Sequence, residues 1–129
     1  MNKTIKIGTR KSALAMAQTY ITEKLIKEKF PSVNTEIVQM TTRGDKILDK
    51  PLNKIGGKGV FVEEFENALL NGEIDIAVHS GKYLPAQMAN GLIIGAVPKR
   101  ADSRDVLVTL KGRKIAVDEK CVLGTGSLR

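Results

Sequence analysis

With 129 residues, 42% apolar and 27% charged, the chain is long enough for one modest domain with a real core and has the balance of a soluble globular protein. Its 21 lysines and arginines against 14 aspartates and glutamates leave a net charge of +7, which points to an anionic partner. Nucleic acid and membrane suit it poorly: Trp is absent, aromatics are 4%, no basic block occurs, and no apolar run is long enough to span a bilayer.

Residues 4–8 alternate as a short strand, with Ile5 and Ile7 on one face and Lys6 on the other. Gly8-Thr9-Arg10-Lys11-Ser12 reads as a turn into a helix over 12–29. Its apolar stripe is Leu14, Ala17, Ile21 and Leu25, and Phe30-Pro31 ends it. A second strand over 36–40 completes a strand–helix–strand unit, which favours a parallel sheet. Residues 41–59 form a long polar segment, of a length that is usually functional or mobile. A second helix spans 60–70, with Val60, Phe61, Phe65, Ala68 and Leu69 on one side and Asn71-Gly72 as its stop. Strands follow over 74–78 and 92–97. The first runs straight into polar residues and is halted by Pro85, so its tip presents His79, Ser80, Lys82 and Tyr83.

Composition changes at residues 98–102, a plausible hinge. Short strands are expected over 106–110, 114–117 and 122–124. Cys121 is the only cysteine, so no intrachain disulfide forms, and its strand setting marks it as a small buried hydrophobe. Gly124-Thr125-Gly126-Ser127 has the form of a strand end opening another helix, so the chain is expected to be truncated there. Residues 1–8 lack the apolar segment of a secretory leader, which leaves cytoplasm as the expected location.

Several groups are suited to holding an anion. A helix start at Ser12 offers free backbone N–H groups, and Arg10 adds a planar fork matched to carboxylates. The plainer reading is that Ser12 only caps and Arg10 is a solvated charge. Lys54-Ile55-Gly56-Gly57-Lys58-Gly59 sets two cations among three glycines, with a flexible surface loop as the alternative. His79, the sole histidine, is an acid–base candidate, although a lone strand histidine is more often packed and hydrogen-bonded. No second histidine or cysteine pair supports a metal site. Arg43-Gly44-Asp45 and Arg104-Asp105 read as surface or hinge ion pairs of small net value.

Laid out in order, Ile7-Gly8-Thr9-Arg10-Lys11-Ser12, Thr42-Arg43-Gly44-Asp45-Lys46, residues 54–61, Asp75 through Ser80, Arg104-Asp105, Gly124-Thr125 and Ser127-Leu128-Arg129 closely resemble hydroxymethylbilane synthase, or porphobilinogen deaminase. The resemblance runs from about Ile5 to Arg129. It implies an α/β, periplasmic-binding-protein-like first lobe with a mostly parallel sheet over 1–98, lacking its late return segment. A hinge and the truncated start of a second lobe follow over 99–129, and a third domain is absent. It further implies a transferase of haem and tetrapyrrole biosynthesis that joins four porphobilinogen units head to tail with release of ammonia, in a cleft between the first two domains. The family's dipyrromethane cofactor is linked to a third-domain cysteine, which Cys121 does not match. Cofactor and substrate carboxylates are expected on Arg10, Ser12, Lys54, Lys58, Ser80, Lys82, Thr125, Ser127 and Arg129.

Departures from the family accompany these matches. Tyr83 stands where the family has an aspartate whose carboxylate stabilises developing positive charge on the pyrroles. A phenol supplies no such charge at neutral pH and is bulkier. Gly81 replaces a usual methionine, and Gly126 a usual serine. With the later domains missing as well, the chain is expected to be impaired or inactive, with Lys82 and Tyr83 at the catalytic position. The reading from another class is a stand-alone module for small carboxylates or phosphates.

Overall fold

The computed structural model describes residues 4–46, 61–110, 120, 122, 124 and 125. Lys54, Lys58, Cys121, Ser127 and Arg129, and the strand expected over 114–117, lie outside them. The chain divides into two compact units, Met1–Pro98 and Lys99–Arg129.

The first unit is α/β. Three parallel strands, β1 (Thr4–Arg10), β2 (Asn34–Met40) and β3 (Ile76–Ala77), lie in the order β2-β1-β3. β1 pairs with β2 from Thr4↔Asn34 through Arg10↔Met40, and with β3 at Ile7↔Ile76 and Gly8↔Ala77. The long ladder to β2 holds Thr9 and Arg10 inside β1, where the sequence had placed them in the turn. As the central strand, β1 buries Ile7, Gly8 and Thr9 in succession, as expected of a parallel strand covered on both faces.

Helix α1 (Ala13–Lys29) makes the crossover from β1 to β2. Ser12 caps it, its hydroxyl accepting from the Ala15 amide at 3.3 Å. The apolar stripe expected to face the core is instead turned outward, with Leu14, Ile21 and Leu25 all exposed. Thr19 is the helix's buried residue. Its hydroxyl donates to Thr9 Oγ1 on β1 at 2.7 Å and lies 2.9 Å from the Ala15 carbonyl. Rotating the leucines inward would remove this buried partner from Thr9, leaving it only the Arg10 carbonyl at 3.3 Å, and a hydrogen bond of this kind contributes about 0.5–1.5 kcal/mol.

A short helical turn, α2 (Arg43–Lys46), follows β2, and α3 (Glu63–Leu70) packs Phe65 and Ala68 inward. Together with Ile74 they form the core, against which Val38, Met40, Leu69 and Ala77 pack. Gly8 makes this possible, because a Cβ there would run into the Ile74 side chain and come within 3.2 Å of the Phe65 ring. Asn71-Gly72 closes α3 as expected. Gly72 has φ +72°, its amide donates to Leu69 O at 3.1 Å, and the Glu73 amide donates to Ala68 O at 2.8 Å. That pair of bonds is a Schellman cap.

Residues 92–97 form no strand, which corrects the sequence expectation. Ile93 and Val97 are more than four-fifths exposed. In the second unit, residues 106–110 also form no strand, and neither do the described residues of 122–124. No strand among the described residues pairs with these segments, so their β-branched pattern has no ladder to join. Arg104 pairs with Asp102, not with the adjacent Asp105. Both side chains are exposed, so the pair's net value is small.

Candidate functional site

Parallel sheets present side chains at the carboxyl ends of their strands. Here the end of β1 delivers Arg10, the turn after β2 delivers Asp45, and the end of β3 delivers His79 and Ser80. A single 3-10 turn over Gly81–Tyr83 then sets out Lys82 and Tyr83.

Phe61 joins these groups. The Arg10 guanidinium carbon lies 4.2 Å from the Phe61 ring centroid. Tyr83 meets the same ring at 5.4 Å between centroids, tilted by 54°. Lys82 Nζ lies 5.0 Å from the Tyr83 centroid. The result is two cations flanking a pair of aromatic rings, in the sequence Lys82, Tyr83, Phe61, Arg10. Each cation–ring contact contributes about 0.5–1 kcal/mol at an exposed site.

Arg10 is held from the side by Asp45. Its Nε donates to Asp45 Oδ1 at 3.0 Å, and Nη2 pairs with the same oxygen. Asp45 Oδ2 accepts from the Thr42 amide at 3.0 Å and the Thr42 hydroxyl at 2.9 Å. Burial alone would raise the Asp45 pKa. The Arg10 hydrogen bonds, joined by those from Thr42, outweigh it and hold the carboxyl below its usual range. The side-on edge of the Arg10 fork is therefore taken, leaving its end-on edge for a ligand carboxylate.

His79 packs edge-on against Phe65 at 4.7 Å, and its buried Nε2 has no hydrogen-bond partner among the described residues. Burial lowers its pKa, and the positive charge of Arg10 lowers it further. The imidazole is packed, as the plainer reading has it, but not hydrogen-bonded at Nε2 among the described residues. The Ser80 hydroxyl donates to Gln18 Oε1 on α1 at 3.2 Å. Ser12 is exposed at the α1 cap.

Of the residues expected from sequence, Arg10, Lys82 and Tyr83 thus come together through Phe61. Ser80 is bonded to Gln18 of α1, and Ser12 is at the α1 cap. Thr125 is exposed in the second unit. Two site residues were misread. Phe61, expected on one side of a helix over 60–70, precedes α3 and lies against Arg10 and Tyr83. Asp45 had been read as a surface ion pair, yet its side chain is only 23% exposed and bonded on both oxygens. The signal for Asp45 was Thr42-x-x-Asp45, the spacing of a reciprocal helix cap.

The donor set suits a flat ligand that carries carboxylates: cations at both ends and aromatic faces between them. An acid-bearing pyrrole such as dipyrromethane has this chemistry. Residues 5–129 match the family model for porphobilinogen deaminase, dipyromethane cofactor binding domain. The chain belongs to the porphobilinogen deaminase family. It is 51% identical to the porphobilinogen deaminase of Bacillus velezensis, over 98% of this chain and 41% of that protein. It is 50% identical to that of Bacillus subtilis, over 100% of this chain and 41% of the relative. The porphobilinogen deaminase of Rickettsia bellii is 49% identical, over 100% of this chain and 43% of its own length. The chain therefore spans about two-fifths of the curated relatives it matches. Dipyrromethane is the cofactor for which this family domain is described.

Proposed function

We propose that this chain is the pyrrole-gripping part of a hydroxymethylbilane synthase, the transferase that joins four porphobilinogen units with loss of ammonia. The observation that carries this reading is the Lys82–Tyr83–Phe61–Arg10 stack, in which fixed positive charge borders aromatic faces. Residues 1–98 form a periplasmic-binding-protein-like lobe and residues 99–129 begin a second, in the cytoplasm.

Arg10 and Lys82 bind acetate and propionate groups electrostatically, Ser12 donates its hydroxyl hydrogen, and Ser80 does so by exchanging Gln18 for the ligand. Lys54, Lys58, Thr125, Ser127 and Arg129 extend the set by their match to the family pattern. Dipyrromethane, when bound, supplies the pyrrole terminus that the reaction lengthens. The residues here orient its acids. Tyr83 cannot offset the positive charge that develops on a pyrrole during deamination, and losing one such group costs about 10²–10³ in rate. Binding without efficient turnover is the resulting activity of the chain.

Calorimetric titration of the purified chain with porphobilinogen and, separately, with inorganic phosphate tests this reading. Selective uptake of the pyrrole supports it. Equal uptake of both supports the alternative, a stand-alone small-anion module.

A further inference from the structure

We propose that the turn over residues 42–45 is a positioning device that fixes both members of the Arg10–Phe61 stack, with Asp45 as the positioning residue for Arg10. The proposal rests on Arg10 being a ligand-binding residue, as argued above.

Two separate features of one turn converge on the stack. Asp45 holds the guanidinium through Nε and Nη2 on a single oxygen. Its other oxygen is tied to the Thr42 amide and hydroxyl, while its own amide donates back to Thr42 Oγ1 at 3.3 Å. Asp45 cannot swing away without opening this reciprocal cap. Thr42 itself is fully buried, so the cap is anchored from below. Gly44 meets the other member. A Cβ at Gly44 would collide with the Phe61 ring, so the ring packs on bare backbone. The turn thus grips the cation by its neighbour Asp45 and the ring by its neighbour Gly44.

This has a consequence for recognition. Among the described residues the side-chain hydrogen bonds of Arg10 use Nε and Nη2 alone, so its Nη1 edge is presented in one fixed direction. A ligand carboxylate meets a preorganised donor, and little side-chain freedom is lost on binding.

The test compares the chain with Asp45→Asn, Arg10→Gln and the double variant, reading porphobilinogen affinity by calorimetry and Arg10 Nε–H exchange by NMR. Asp45→Asn is expected to weaken binding about tenfold, the loss of one charge-assisted contact. It is expected to add nothing in the Arg10→Gln background, and to speed Nε–H exchange without ligand. A merely structural role would weaken binding equally in both backgrounds, and that additivity would overturn the proposal. Unchanged affinity or unchanged exchange in Asp45→Asn would overturn it as well. If porphobilinogen does not bind the unmodified chain, the proposed function fails, and Nε–H exchange alone decides the positioning claim. Should Asp45→Asn not fold, Asp45→Glu replaces it, with the same outcomes on either side.

Discussion

The guanidinium carbon of Arg10 stands 4.2 Å from the centre of the Phe61 ring, and the same ring meets Tyr83 at 5.4 Å between centroids. Phe61→Leu removes one cation–ring and one ring–ring interaction while keeping an apolar side chain. The expected cost is about 1–2 kcal/mol in urea unfolding. A change below about 0.5 kcal/mol, the usual range for an inconsequential surface substitution, would show that the stack holds nothing in place.

Tyr83 is the residue to which the proposed function assigns poor turnover. Fusing this chain to the later part of the Bacillus subtilis porphobilinogen deaminase gives a protein in which the position can be assayed. Tyr83→Asp in that fusion is expected to raise the rate of hydroxymethylbilane formation by about 10²–10³. An unchanged rate would mean that the phenol is not the obstacle.

The hydroxyl pair between Thr19 and Thr9 sets the rotation of α1. Thr19→Val removes that partner and leaves the Thr9 hydroxyl its contact to the Arg10 carbonyl at 3.3 Å, so it is expected to cost about 0.5–1.5 kcal/mol. Replacing both threonines by valine should cost less than the sum of the single changes, because both remove the same hydrogen bond. Additive losses in chemical denaturation would contradict this account of the helix's orientation.

His79 makes stability depend on pH. Its pKa is lowered in the folded state, so unfolded chains bind the proton more readily. Its contribution is full above the unfolded value of about 6.5 and is lost as pH falls from there through the folded pKa. Asp45, also lowered, adds a second loss below about pH 4. His79→Gln should flatten the midpoint of urea unfolding below pH 6.5 and leave the acid limb unchanged. A slope that persists in the variant would assign it to another group.

The strand–helix–strand core was legible because β1, α1, β2 and α3 each carry a local signal: alternation, a serine cap, a proline stop, Asn71-Gly72. What misled was periodicity without chemistry. Leu14, Ile21 and Leu25 have the spacing of a buried stripe, yet the buried contact is a hydroxyl pair, which no apolar pattern records. Residues 92–97 look like a strand because they are β-branched, but a strand exists only where a neighbour supplies hydrogen bonds. In the site, Arg10 and Lys82 stood out by charge at strand tips. Phe61 and Asp45 did not, since their roles depend on partners 51 and 35 residues away in the chain.

NMR of the isotope-labelled chain during porphobilinogen titration bears most directly on the central claim. The account predicts saturable shifts at the Arg10 Nε–H, the Lys82 ammonium and the rings of Phe61 and Tyr83, with one shared dissociation constant. Shifts confined to other residues, with these four unmoved, would contradict it.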